Sequence, residues 1–492
     1  MNKETSTLRS LANIIVRAVD SMERAYADAA LPLPSLDKPF NPEDPAEALA
    51  QDSHVATAAK NLVAACAQIS ATVWNPRRFV TNQGKGVRSC SPIDKPPTDM
   101  KSKYNMSSCL RAVSDFNVVD VLREAGENGA SVNDIGAAVG VDPRMIERIL
   151  RLLATHHIFR EVSPGVFANN RMSSTLEKAK PSRELFQSRE TRFVGSSGIA
   201  AFVENDGEVG GKCALYLAES LRTPGLVPFN LAYDTKETLF EWMEGPERSY
   251  HVNRFASAMQ GTAAMEPGDL IFRGFDWSAL PRESVIVDVG GGIGHESLTI
   301  AKKYPHLRVV NQDFASPIEF SKAHWKKCFP EHVEKGMVEF LGESTFDHLH
   351  DFFTPQSVKN AAVFLLRHII HDWPDDRAVV ILQNLRKAAG EETQLVVIDK
   401  LVPFASTGTL ADSKMSAIRG AEQQVAEAPL LPNWGAAVAD VYLYDLTMHL
   451  MVGGIERTVQ GFYELFAKAG WKLVEIHQSP GTQMSHIVGV PA

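Results

Sequence analysis

Five short runs of β-branched residues alternate with helical patterns in the second half of the chain, a glycine cluster follows the first run, and two further runs close the sequence. These observations predict an α/β protein: a Rossmann-like, mostly parallel sheet covered by helices on both faces and ended by a C-terminal antiparallel hairpin, preceded by helices and a winged-helix domain. The 492 residues, 44% hydrophobic and 22% charged, suffice for more than one core and exclude a disordered or disulfide-stapled chain. Lysine and arginine number 50 against 59 acids, a net charge of −9, which is the wrong sign for a protein living on nucleic-acid backbones. The five cysteines are scattered without a CxxC pair, so no zinc site or dithiol chemistry is expected, and a reducing compartment is. Charges interrupt the first residues, and no apolar run approaches the roughly 18 to 20 residues that span a bilayer. The expected location is cytoplasmic, with no membrane partner.

Leu8, Leu11, Ile14, Ile15 and Ala18 recur at helical spacing, as do the apolar residues of VATAAKNLVAACAQISATVW. Residues 1–80 therefore read as a helical extension, two amphipathic helices joined by the proline-rich LPLPSLDKPFNPEDP. Residues 81–104, polar and rich in Gly, Pro, Ser and Lys, read as a flexible loop. Residues 105–180 carry a helix SCLRAVSDFNVVDVLREAG, a short helix SVNDIGAAVG, a third helix DPRMIERILRLLATHHI and a hairpin around Pro164-Gly165, the order of a winged helix. DNA binding is disfavoured, since Cys109 to Arg171 holds seven arginines, eight acids and no lysine.

Residues 181–492 read as a catalytic domain. It begins with mixed helix and loop, WMEGPERSYHVNRFASAMQG being the clearest helical piece. The strand runs are SVIVDV (284–289), LRVVN (307–311), MVEFLG (337–342), AAVFLL (361–366) and QLVVID (394–399). The first three intervals contain helical patterns, and DWPDDRAVVILQNLRKAAG supplies a fourth helix. After the helix TVQGFYELFAKAG, the runs WKLVEIH and SHIVGV form the closing hairpin.

Within VDVGGGIGHESLTIAKKYPHLRVVNQDF, Gly290, Gly291, Gly292 and Gly294 allow a sharp turn and close ligand approach. Asp313, 19 residues beyond Gly294, stands where a carboxylate accepts from two ribose hydroxyls. The pair indicates a nucleoside-containing ligand. A dinucleotide GxGxxG fails in both frames, meeting His295 or Ser297 in the last slot. Asp288 adds negative potential, which suits a ligand ammonium better than a pyrophosphate. RHIIHDWPDD places His371 at the carboxyl end of a strand, where open α/β sheets bind ligands and where an imidazole takes a proton near neutral pH. His368 reads as a core or capping histidine.

Taken together, these motifs resemble the class I S-adenosylmethionine-dependent O-methyltransferases of the plant caffeic-acid type, and within them the fungal sterigmatocystin methyltransferase kind, over most of the chain. The resemblance implies S-adenosylmethionine as cofactor, held by the DVGGGIG loop, Asp313, Asp351 and Phe352 of HDFF, and a polar position at Arg367. HDWPDD looks like the family's catalytic-base motif, which makes His371 the base. Asp399, 28 residues later, and Glu456 in GGIERT match the family's two acids that orient that ring. Asp399 is one methylene shorter than the usual Glu. Phe255 and Met259 in FASAM resemble the residues that clamp a phenol. A homodimer and a hydroxylated aromatic or polyketide-like acceptor follow from the same resemblance, and no metal is expected, because the displacement needs alignment, desolvation and a base, and Asp375 and Asp376 fall at a helix start where they serve the macrodipole. The rivals on this fold are a pericyclase or dehydratase that no longer transfers methyl, and a metabolite-sensing regulator. Retention of His371, Asp399 and Glu456 argues for methylation.

Overall fold

In the computed structural model, residues 6–73, 103–245, 247–313, 315–342, 352–407, 417–479 and 482–492 are described. The chain divides into two compact units, Met1–Pro267 with His449–Val452, and Gly268–Met448 with Gly453–Ala492.

In the first unit, helix α1 (Thr7–Asp28) is capped by the Ser6 hydroxyl, which accepts from the Arg9 N–H. It packs on α2 (Ser53–Val73), burying Leu11, Ile14 and Ala18 against a stripe that includes Val55, Ala58 and Ala65. The proline-rich connector between them holds one short helix, Pro45–Leu49, capped by Asp44. The expected loop at 81–104 lies outside the described residues except for its last two, which open α3 (Lys103–Asp115).

The single helix expected from Ser108 is two. Asn117 takes φ +56, a left-handed conformation that asparagine tolerates, and this separates α3 from α4 (Val118–Ala125). Then follow β1 (Ala130–Ser131), α5 (Val132–Val139), α6 (Pro143–Thr155), β2 (Arg160–Ser163) and β3 (Val166–Ala168), with sheet order β1-β3-β2. Val118, Leu122, Ile135, Leu150, Leu153 and Phe167 form the core of this winged helix. Arg151 on α6 is paired within the domain, its Nη2 donating to Glu147 at 2.6 Å and Glu161 at 3.1 Å.

Helices α7 (Ile199–Asn205) and α8 (Ser249–Ala264) pack on each other, and α7 also packs on α3. Buried Glu204 of α7 accepts from Ser114 Oγ at 2.7 Å and pairs with Lys178 and Arg192. Residues 181–267 lie within the first unit.

The second unit is built on a seven-stranded sheet ordered β6-β5-β4-β7-β8-β10-β9. Its strands are β4 (Val285–Val289), β5 (Arg308–Gln312), β6 (Val338–Leu341), β7 (Val363–Arg367), β8 (Gln394–Lys400), β9 (Trp471–Gln478) and β10 (Met484–Pro491). The first five are parallel, and β10 runs antiparallel to β8 and β9, the expected hairpin. Helices α9 (His295–Lys303), α10 (Ala315–Cys328), α11 (Asp375–Ala388) and α12 (Val459–Ala469) accompany it, while the described part of the third interval, 352–362, holds no helix. Phe364 and Leu366 of β7 enter a core with Ile381, Leu385 and Phe466, and Val363 and Leu365 enter another with Trp277, Ile286 and Ile300. Burial on both faces explains why these strands read as continuous apolar runs. Among the described residues, no helix is long and apolar enough to cross a membrane.

Strand β4 pairs with β5 on one side and with β7 on the other. The chain leaves β4 toward β5 and returns to β7, so the sheet changes winding direction between β4 and β7, and the segments after them lie side by side. A Cβ on Gly290, just after β4, would fall 2.4 Å from Ile369 Cδ1, just after β7.

Candidate active site

The turn after β4 depends on its glycines. Gly290, Gly292 and Gly294 have φ of +72, +57 and +75. A side chain at Gly294 would meet Trp325 Nε1 at 2.5 Å, whereas one at Gly292 would meet nothing within 4 Å, so that face of the loop is open to a ligand. The Gly292 N–H donates to Asp313 Oδ2 at 2.7 Å, tying the loop to the end of β5. Asn311 Nδ2 reinforces the tie by donating to the Gly292 carbonyl at 3.0 Å. Asp288 is buried, and its Oδ2 has no hydrogen-bond partner. Burial pushes its carboxyl up to about 6, with Asp313 adding and Ser297 opposing. Arg367, at the end of β7, pairs with Glu296 of α9. The Phe352 ring packs on Phe353 at 5.2 Å and Trp373 at 5.7 Å, and its carbonyl accepts from Asn384 Nδ2 at 3.1 Å. Asp351 lies outside the described residues.

After β7 the chain turns through His368, whose φ is +56, into a 3₁₀ turn at Ile370–Asp372 that carries His371. His371 Nδ1 meets Glu456 Oε1 at 2.8 Å. The carboxylate fixes the tautomer with the proton on Nδ1 and leaves Nε2 on the opposite side of the ring, 3.6 Å from Asp372 Oδ1. Asp399, at the end of β8, is fully buried, and neither of its oxygens has a hydrogen-bond partner. His368, His371 and Asp399 each offer an atom, all within 4.8 Å of one another. Burial pulls the His371 imidazole down, but the Glu456, Asp372 and Asp399 carboxylates outweigh it and raise the ring to about 10. Burial raises Asp399 to about 7 against the opposing pull of His371, and holds His368 neutral, well below its ordinary range.

These shifts make a stability prediction. His371 binds its proton more tightly folded than unfolded, so its contribution is full below pH 6.5 and is lost as pH rises toward 10. Asp399 has the same sign over the range from its ordinary 3.8 to about 7. The Tm is expected to fall between pH 6.5 and 10, and to fall less steeply in Glu456→Gln, where the largest carboxylate partner of the ring is gone. Thermal melts across that range check it, and equal slopes would contradict the assignment.

The segment holding Glu456 docks directly on the base. A Cβ on Gly454 would fall 2.1 Å from the His371 carbonyl oxygen, and the Ile455 N–H donates to that oxygen at 2.8 Å. The Glu456 N–H donates to Asp445 Oδ1 at 2.9 Å. These backbone contacts bring together an acid and a base 85 residues apart.

Residues 215–472 match the O-methyltransferase domain, and residues 99–179 match the O-methyltransferase dimerisation domain. The chain belongs to the O-methyltransferase family. An O-methyltransferase of Armillaria gallica is 35% identical to this one over 99% of each chain. The 4-O-methyltransferase 1 of Phanerochaete chrysosporium is 34% identical over 99% of this chain and 100% of its own. A solved structure described as a pericyclic reaction enzyme superposes with a TM-score of 0.63 at 20% identity, covering 91% of this chain and 97% of its own, a likeness of fold.

In this O-methyltransferase the second unit brings together His371 after β7, Asp399 near the end of β8 and Glu456 ahead of α12, and, around the turn after β4, Asp288 of that strand, Gly290, Gly292, Gly294 and Asp313 just beyond β5. Phe255 and Met259 lie on α8 of the first unit, Phe255 half-buried with its ring 6.1 Å from Phe240 and Met259 exposed. Asn311, His368, Asp372 and Asp445 were not singled out as site residues in the sequence. HDWPDD does contain Asp372, but the contact of Asp445 depends on folding that no local pattern records.

Proposed function

We propose that this O-methyltransferase moves a methyl group from S-adenosylmethionine to a phenolic or enolic hydroxyl of a small aromatic or polyketide-like acceptor, with His371 as general base. The observation that carries the reading is the 2.8 Å His371–Glu456 contact on the turn beside the glycine loop. When bound, the cofactor supplies an electrophilic sulfonium methyl. The chain fits it: Asp288, with one unpartnered buried oxygen, suits an ammonium group, Asp313 suits ribose hydroxyls, Phe352 an adenine face, and the open side of Gly292 admits close approach. Arg367 and Asp351 complete the proposed cofactor set. His371 Nε2 takes the acceptor's proton, while Glu456 holds Nδ1 and Asp399 stabilises the imidazolium that forms. The donors near His371 have the spacing for a metal ion, yet the reaction proposed needs none. Phe255 and Met259 are the residues that the caffeic-acid and sterigmatocystin methyltransferase resemblance assigns to the acceptor. Calorimetry tests the cofactor assignment: S-adenosylhomocysteine should bind more tightly than NAD, and the reverse order would overturn it.

We further propose a homodimer assembled through residues 1–80 and 105–180. The dimerisation-domain match supports it, as do Leu8, Val16 and Val19 on α1 and Val63 on α2, which stand exposed. Light scattering at micromolar concentration should give twice the chain mass, and removal of residues 1–80 should lower it. A fully active monomer would contradict the proposal.

A further inference from the structure

Arg457, beside Glu456, has no role in the reading above, yet its side chain is 2% exposed. Its Nη1 donates to the carbonyls of Ile370 at 2.9 Å and Ile455 at 3.2 Å. Its Nη2 donates to the Trp373 carbonyl at 2.8 Å, and its Nε to Asp375 Oδ1 at 2.9 Å. The acceptors come from two segments only. Ile370, Trp373 and Asp375 bracket His371 on its turn and the start of α11, and Ile455 adjoins Glu456. The backbone of Arg457 is itself anchored, since the Val402 N–H, just beyond β8, donates to its carbonyl at 3.0 Å.

We propose that Arg457 is a positioning residue for the base: it locks the turn carrying His371 to the segment carrying Glu456 and so sets the contact between them. The planar guanidinium is suited to this, because its fixed fork reaches carbonyls on both segments at once, whereas a lysine ammonium on the same stem has no such fork. Without it, the Trp373 carbonyl loses the guanidinium donor and the Ile370 carbonyl keeps only the Trp373 N–H at 3.3 Å, so the turn carrying His371 is held less firmly. The inference rests on the general-base reading of His371.

The test is steady-state kinetics across pH on Arg457→Ala and Arg457→Lys, with His371→Ala alongside and cofactor affinity measured for each. Loss of such an orienting contact should lower kcat by about 10- to 100-fold while changing the acceptor KM by less than about twofold. The rising limb of kcat, where the ring loses its proton, should move down toward the ordinary imidazole range, because Glu456 no longer sits on Nδ1. Added guanidinium ion should restore part of kcat in Arg457→Ala. A merely structural arginine would leave the limb where it is. If Arg457→Ala fails to fold, Arg457→Lys decides. Wild-type kcat with an unmoved limb in a folded variant overturns the positioning role while an impaired His371→Ala keeps the base. An unimpaired His371→Ala overturns the base itself.

Discussion

Replacing His371 by alanine should lower the methyl-transfer rate by about 10² to 10⁴, the usual worth of a positioned general base, and leave cofactor affinity nearly unchanged. The separation follows from placement, since His371 sits on the turn after β7 while the glycine loop and Asp313, the main proposed cofactor contacts, follow β4 and β5. Glu456→Gln and Asp399→Asn act through the same ring, so their losses should not add to that of His371→Ala. Glu456 touches the ring at 2.8 Å, whereas the Asp399 oxygens have no hydrogen-bond partner, so Glu456→Gln should cost more. The pH profile is a second reading. An unperturbed histidine would give a limb near pH 6.5, but the surrounding carboxylates hold this ring toward about 10, so the limb should lie above neutrality. His371→Ala should abolish the limb and Glu456→Gln should lower it. Rate measurements with the native acceptor, paired with calorimetry, check all of this.

Asp313→Ala should weaken cofactor binding by about 1 to 3 kcal/mol, the range for leaving buried polar groups unpaired. Two losses combine: the acceptor for ribose hydroxyls, and the 2.7 Å bond from the Gly292 N–H that ties the loop to β5. Asp313→Asn keeps one acceptor oxygen and the tie, so it should fall between wild type and alanine. Titration of each variant with S-adenosylhomocysteine measures it, and wild-type affinity in Asp313→Ala would remove Asp313 from the site.

How much of this was legible depended on how local each signal was. The five parallel strands and the closing hairpin showed as apolar runs because burial on both faces excludes polar residues, and the glycine loop showed because positive φ at Gly290, Gly292 and Gly294 favours one residue type. The break at Asn117 was missed, since a left-handed residue inside an otherwise helical pattern leaves no change in periodicity. Packing of α7 on α3 joins residues nearly a hundred apart, which no local pattern records. His371 was marked by its place at a strand end, the roles of all three of His371, Asp399 and Glu456 came through a resemblance, and what joins His371 to Glu456, the Gly454 approach and the Arg457 fork, appears only in three dimensions.

The most direct test of the central claim is to incubate the purified protein with methyl-labelled S-adenosylmethionine and a panel of hydroxylated aromatic and polyketide acceptors, and to locate the label by mass spectrometry. The account requires the label on an acceptor oxygen, one S-adenosylhomocysteine formed per methyl transferred, and loss of both in His371→Ala. Conversion of an acceptor with no label incorporated and no S-adenosylhomocysteine released would contradict methyl transfer and assign the pocket to a different reaction.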